Sequence, residues 1–220
     1  MADIPFASIR RVFERAARLA SQGTKVINFG IGRPDFDTPE HIKAAAKKAL
    51  DEGWVHYTPN AGVPGLRQAI ADSIQKYKQV AYSPETEIMV TAGGQEAIYL
   101  SLRAFLNAGD EILVPDPGYT QFVSTIRLAG GKALPMPMVI DDNCMPDLGA
   151  AGRLISPHTR GIIVNSPHNP TGAVLDSDQI VEIGRFAGTH GLVIFSDEAY
   201  DRIVFPGADF SSPAALPGMK

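Results

Sequence analysis

Leu192-Val-Ile-Phe-Ser-Asp-Glu-Ala-Tyr200 decides how the rest of the chain is read, because an apolar run passes straight into two acids and a tyrosine. A short apolar run bounded by polar residues fits a buried strand. In an open α/β sheet, ligands bind outside the carboxyl ends of the strands. Asp197 at such an end is either a surface turn residue or the group that holds a ligand's positive charge. What the other strand ends carry decides between the two.

Upstream of this stretch the chain alternates strand-like and helix-like patterns. Strands are expected near 87–91, 111–115, 132–136, 161–165 and 192–196. Helices are expected near 94–107, 119–129 and 176–190, with a short one near 147–155. Such alternation predicts an α/β fold, a mostly parallel sheet with helices on both faces. Right-handed crossovers then bring every strand's carboxyl end to one edge. Further upstream, residues 8–22 place Ile9, Val12, Phe13, Ala16, Leu19 and Ala20 at helical spacing, with Arg10, Arg11, Arg15 and Arg18 on a solvated face. Val26–Phe29 reads as a short strand. Thr38 and Pro39 supply an N-cap and a first-turn proline for a helix to about Leu50. A further helix spans about 64–78. Its Ser73-Ile-Gln-Lys76 matches S-x-x-K formally, without the companion motifs that would give it catalytic meaning, and reads as an exposed face. Gly30-Ile-Gly-Arg-Pro-Asp-Phe36 begins like a dinucleotide fingerprint, but Pro34 and Asp35 stand where the helix should open.

The composition narrows the function classes. At 220 residues, 45% hydrophobic, the chain is long enough for one large or two modest domains. A net charge of −4 without a basic cluster argues against nucleic acid or an anionic membrane as partner. Cys144 is the only cysteine, so neither an intrachain disulfide nor a cysteine-rich metal site is expected. The N-terminus lacks the pattern of a signal peptide, and no apolar run approaches the ~20 residues of a membrane span. A cytoplasmic protein is the expectation, with no metal.

Four strand ends carry groups with chemistry. Ala92-Gly-Gly-Gln-Glu96 follows Ile88–Thr91 and opens a helix, so backbone N–H groups and the helix dipole create an anion site; the plain alternative is a tight turn. Pro115-Asp-Pro-Gly-Tyr119 follows Ile112–Val114, and its prolines stiffen a loop that can present Tyr119 as an aromatic face. Asn165-Ser-Pro-His-Asn-Pro-Thr-Gly172 follows Gly161–Val164. Its Asn169 offers both donor and acceptor to a ligand, whereas Asn165 can equally serve the turn's own backbone and His168 reads as a loop residue. Asp197 and Tyr200 complete the set. Together these suit a flat, phosphorylated, nitrogen-containing aromatic ligand.

These motifs resemble those of the class I/II aminotransferases, within the aspartate aminotransferase superfamily of fold type I pyridoxal-phosphate enzymes. Asn165–Gly172 is similar to the family's N-x-x-N-P-T-G turn, Ser196–Tyr200 to its D-E-x-Y, and Gly30–Phe36 to its G-x-P-D-F segment. The resemblance covers nearly the whole chain. It implies pyridoxal 5'-phosphate as cofactor, with Gly94 and Gln95 on the phosphate and Tyr119 stacked on the ring. It places Asn169 and Tyr200 on the phenolic oxygen and Asp197 on the pyridinium nitrogen. Tyr57 corresponds to a tyrosine that reaches the phosphate in the neighbouring subunit of a homodimer. Gly32, with Asn169, corresponds to contacts with the substrate. Two departures stand out. Arg33 occupies a position often acidic, and Gly93 replaces a frequent serine.

The resemblance also implies amino transfer between an amino acid, aspartate among the candidates, and a 2-oxo acid. A C–S β-lyase of the same chemistry and a non-catalytic aminotransferase-like module share these motifs. The family's Schiff-base lysine lies in an S-x-x-K segment beyond D-E-x-Y that this sequence does not reach, and Lys220 is a poor substitute near a chain end. The expectation is therefore the N-terminal portion of an aminotransferase, with no catalytic residue and inactive alone. Residues 1–38 would be the N-terminal segment and 39–220 a C-terminally incomplete large domain.

Overall fold

A computed structural model of the chain describes residues 8–30, 32, 36–139 and 144–219. The backbone falls into two compact units, divided between Asn60 and Ala61. The first contains α1 (Ser8–Ser21) and α2 (Glu40–Asp51). In α1 the half-buried Phe13 and Ala16 lie apart from the exposed Arg11, Arg15 and Arg18, as the helical spacing requires. The start of α2 differs by one residue from the expectation: Pro39 is itself the N-cap and makes no side-chain capping bond. Glu40 in the first turn places a carboxylate where the helix dipole favours it. The strand expected over Val26–Phe29 does not form. Ile27 and Phe29 are 74% and 93% exposed, and no described strand pairs with this segment to take up its N–H and C=O groups.

The second unit opens with α3 (Pro64–Lys78), whose proline sits in the first turn, where its missing N–H is harmless. Then follow α4 (Gly94–Phe105), β1 (Glu111–Asp116), α5 (Gln121–Leu128), β2 (Lys132–Pro137), α6 (Leu148–Leu154), β3 (Thr159–Asn165), α7 (Ser177–His190) and β4 (Val193–Asp197). The four strands form a parallel sheet in the order β2-β1-β3-β4. The α/β expectation holds, but the strand expected at 87–91 is corrected. Its alternation is present, with Ile88 buried and Met89 61% exposed, yet among the described residues its only backbone ladder-like bond runs from Val90 N–H to Ala61 C=O at 3.0 Å. Apolar alternation marks a half-buried extended segment; a strand also needs a neighbour with free edge groups.

Both faces of the sheet are covered, and the period-2 rule assigns each residue to a face. Ile112 and Val114 of β1 and Ile163 of β3 pack with Leu102 of α4 and Phe122 and Ile126 of α5. Leu113, Ile162 and Val164 point the other way, towards Ala151 of α6 and Ile180, Ile183 and Ala187 of α7. Buried on two sides, β1 and β3 read as continuous apolar runs. Gly161 shows how closely β3 and β4 lie: a Cβ there would stand 2.8 Å from the Val193 carbonyl oxygen and 2.9 Å from the Phe195 ring. α7 carries a full capping box, Asp176 accepting from Gln179 N–H while the Gln179 side chain accepts from Asp176 N–H. No helix among the described residues is long and apolar enough to cross a membrane.

Candidate active site at the carboxyl edge of the sheet

The parallel arrangement brings the ends of β1, β3 and β4 to one edge, and the N-terminus of α4 joins them. A cavity of about 170 Å³ opens there, lined by Gly94, Gln95, Ile98, Tyr119, Asn165, Asn169, Asp197, Ala199 and Tyr200. The six expected site residues of this unit therefore share one cavity. Gly32 and Tyr57 belong to the first unit, where Gly32 is exposed with open space around its α-carbon and the Tyr57 side chain is fully exposed. Arg33 and Lys220 lie outside the described residues.

At α4, Gly93 is the N-cap with φ 89° and ψ 166°, a conformation essentially restricted to glycine. A serine would strain the backbone here, which gives the glycine a reason independent of any lost hydroxyl contact. Gly93 offers no side-chain cap, and the backbone N–H groups of Gly94 and Gln95 have no acceptor among the described residues. Unpaired N–H groups at the positive end of a helix form an anion site. The Gln95 side chain is already engaged, donating to Thr125 Oγ1 at 2.6 Å, and Thr125 in turn donates to Gln121 C=O. Gln95 thus presents its backbone rather than its amide.

Tyr119 stands edge-on to Phe122, with ring centroids 5.3 Å apart at 86°. This contact holds the phenol ring against the core. Gly118 before it permits the turn, since a Cβ would fall 2.2 Å from the Pro115 carbonyl oxygen. Burial, with the Tyr200 and Asp197 charges behind it, pushes the Tyr119 hydroxyl above its ordinary range, so it stays protonated.

Asp197 is the last residue of β4, not the first residue after it, and faces Asn165 in register. Burial drives its carboxyl above the usual carboxylate range; the Ala199 N–H, 3.1 Å from Oδ1, opposes this, and the Glu198 charge adds to it. Asp197 forms no ion pair among the described residues. A half-buried acid without a cation, sharing a cavity with two helix N-terminal N–H groups that have no acceptor among the described residues, is complementary to a ligand carrying both charges; Glu96 of the same first turn is engaged with the Ala92 N–H. Pyridoxal phosphate, with a phosphate and a protonated ring nitrogen, fits that donor set.

The neighbouring acid is held differently. Glu198 accepts from Ser196 Oγ and Ser212 Oγ, each at 2.7 Å, and pairs with Lys78 of α3, which also meets Asp201 at 2.9 Å. The side chains of this triad are only 12–19% exposed. Sequence reasoning missed it, because Lys78 lies 120 residues from Glu198 and no local pattern signals the pair. For Asn165 the sequence leaves service to the turn's own backbone as an equal alternative. It does serve the turn, and it also bonds across to β4: Nδ2 donates to Asp197 C=O at 3.1 Å, while Oδ1 accepts from Asn169 N–H at 3.0 Å. His168 is more than a loop residue. It is 4% exposed, its Nδ1 lies 2.8 Å from Thr171 Oγ1, and burial depresses its pKa, so the ring is neutral.

Comparison with known proteins identifies the family of the chain. The family model "Aminotransferase class I and II" matches residues 24–218. The chain is 40% identical over 213 residues to an aromatic-amino-acid aminotransferase of Thermococcus litoralis, covering 97% of this chain and 54% of the relative. It is 40% identical over the same length to an aspartate aminotransferase of Pyrococcus abyssi, again at 97% and 54%. The solved aspartate aminotransferase of Thermus thermophilus with maleate superposes with a TM-score of 0.90 at 35% identity, over 96% of this chain and 55% of that one. The chain spans about half the length of the relatives it matches.

Proposed function

This chain belongs to the class I and II aminotransferase family, and from that premise we propose that the protein moves an amino group between an amino acid and a 2-oxo acid. The family's enzymes depend on pyridoxal 5'-phosphate. The observation that carries the reading is the single cavity shared by Gly94, Gln95, Tyr119, Asn169, Asp197 and Tyr200. When bound, the cofactor supplies a protonated, electron-withdrawing ring that takes up the charge left when a proton leaves the amino acid's α-carbon.

The chain's own residues hold that ring in place. The N–H groups of Gly94 and Gln95 bind the phosphate, helped by the α4 dipole. The Asp197 carboxylate accepts the ring nitrogen's proton as a hydrogen bond and keeps it there at neutral pH, since separating the two would leave a buried charge uncompensated. Asn169 and Tyr200 donate to the phenolic oxygen. Tyr119, held against Phe122, covers one face of the ring and excludes water from it. Gly32 and Asn169 would meet the substrate's carboxylate. Tyr57 would reach the phosphate held by a second copy of the protein in a homodimer. We assign residues 39–220 to the cofactor-binding domain and residues 1–38 to the N-terminal segment. Aspartate is among the substrates to try, a choice supported by the names of the relatives.

Among the described residues no lysine lines the cavity. The 220-residue chain by itself is therefore expected to hold the cofactor without a covalent bond and to show no appreciable amino transfer. Pyridoxamine 5'-phosphate, which lacks the aldehyde and cannot condense with surface lysines, is the suitable probe. Titration followed by the probe's own fluorescence should show saturable one-to-one binding that Asp197→Ala weakens on the order of tenfold or more, the loss of a charged hydrogen-bond partner. Unsaturable binding, or binding indifferent to that substitution, would rule out the assignment of the site.

A further inference from the structure

We propose that Asn165 is the positioning residue of the cofactor site, one side-chain amide that sets the spacing between Asn169 and Asp197; the proposal rests on the cofactor reading above. Asn165 ends β3 directly opposite Asp197, the last pair of the β3–β4 ladder. Its side chain is 4% exposed and uses both ends. Nδ2 donates to the Asp197 carbonyl at 3.1 Å and to the Pro167 carbonyl at 3.4 Å, and Oδ1 accepts the Asn169 N–H at 3.0 Å. The partners dictate the amide's orientation: two acceptors on one side require the nitrogen there, and one donor on the other requires the oxygen. No flipped amide satisfies all three.

The location gives these bonds their meaning. Ladder pairing between β3 and β4 stops at Asn165 and Asp197; β3 then leads into the turn that bears Asn169, and β4 into the turn that bears Tyr200. The Ser166 N–H also reaches the Asp197 carbonyl, at 3.2 Å, so that carbonyl is held from two donors of the β3 side. Asn169 is assigned to the phenolic oxygen and Asp197 to the ring nitrogen. Both are atoms of one rigid ring, so their separation is set by the ligand. A protein can match it beforehand only by linking the two backbones, and the Asn165 amide is such a link. A group held in advance spares the ligand the cost of ordering it.

Two substitutions separate this role from plain turn stabilisation. Asn165→Asp keeps the acceptor for the Asn169 N–H but loses the donor to Asp197. Asn165→Ala removes both. For pyridoxamine 5'-phosphate, affinity should fall on the order of tenfold in each, because each removes at least one of the side-chain bonds that anchor Asn169 and Asp197, and the Ser166 N–H alone then holds the Asp197 carbonyl. Amide hydrogen exchange at Asn169 should quicken at least tenfold in Asn165→Ala and stay close to the unsubstituted rate in Asn165→Asp. The ladder amides of Ile163 and Phe195 should hold their protection in both. Combined with Asn169→Ala, the Asn165→Ala loss should be smaller than the product of the two single losses.

Affinity within twofold of the parent in both variants, with faster exchange at Asn169 alone, would reduce Asn165 to a turn stabiliser and overturn the proposal. So would a fall in affinity that accompanies lost protection across Ile163 and Phe195, since that is general loosening. If the unsubstituted chain does not bind the probe, the site reading fails and takes the proposal with it. That result is distinct from failure of the proposal alone, in which parent and variants bind equally well.

Discussion

Replacing Lys78 with methionine tests whether the turn after β4 is held in place by buried charge. Lys78 reaches across from α3 to Glu198 and Asp201, and the three side chains are 18%, 12% and 19% exposed. Breaking a fully buried pair by removing one partner costs about 3–5 kcal/mol, whereas an exposed pair is worth about 0.2–1 kcal/mol. These exposures sit near the buried end, and two carboxylates lose at once the only cation that pairs with them among the described residues. The slight access to water lowers the figure, so Lys78→Met should cost roughly 3 kcal/mol. Urea unfolding at neutral pH reads this directly as a lower midpoint, by on the order of 1 M for slopes of ~2–3 kcal/mol per molar. Adding Glu198→Gln to Lys78→Met should recover part of the loss, because one uncompensated charge disappears. The pH dependence has a definite sign. Burial works against the Lys78 charge, but Glu198 and Asp201 outweigh it and raise its pKa. The contribution is therefore complete below the unfolded lysine value of ~10.4 and fades as pH rises through the higher folded value. A loss under about 0.5 kcal/mol, unaltered by Glu198→Gln, would show that the triad is screened by water and that the turn is held by its serines alone.

Two other changes probe the sheet and the site. Gly161→Ala should destabilise the chain by about 1–3 kcal/mol or more, because the new methyl group meets the Val193 carbonyl at 2.8 Å and a strand backbone cannot swing aside; an unchanged thermal midpoint would mean β3 and β4 lie further apart. Asp197→Asn should raise the stability of the ligand-free chain at neutral pH while weakening cofactor binding. With its folded pKa raised, Asp197 detracts from stability progressively as pH climbs from about 4 through that value, and the asparagine variant lacks this trend. Parent and variant should converge in acid, and a parent that stays the more stable at neutral pH would contradict the burial argument.

How far the sequence revealed the molecule varied with the range of the forces involved. β1 and β3, apolar on both faces, could be seen as continuous runs, and α7 announced itself through Asp176, Gln179 and the glycine that follows it. The segment at 87–91 misled because alternation reports burial, while strand formation depends on a partner elsewhere. Val26–Phe29 misled for the same reason. Pro39 shifted the start of α2 by one residue because a helix boundary is decided by local φ and ψ rather than by the apolar pattern. At the site, Gly94, Gln95, Tyr119, Asn169, Asp197 and Tyr200 could be named because each lies at or just beyond the end of an apolar extended run, although the run before Gly94 is not a strand, and parallel topology gathers such ends. The supports stayed hidden. The Lys78–Glu198–Asp201 triad and the two-sided Asn165 amide join residues far apart in the chain, and composition carries no trace of such pairings. The sequence thus shows the groups that would touch a ligand more readily than the groups that hold them still.

The role proposed for Asp197 requires a bound ligand's ring nitrogen to stay protonated. Nitrogen-15 NMR of ring-labelled pyridoxamine 5'-phosphate bound to the chain measures this at the atom concerned. At a pH where the free compound's ring nitrogen has lost its proton, the bound nitrogen should retain the shift of the protonated form, and Asp197→Ala should abolish that difference. A bound nitrogen that titrates as it does in free solution, with Asp197 intact, would rule out this role for Asp197.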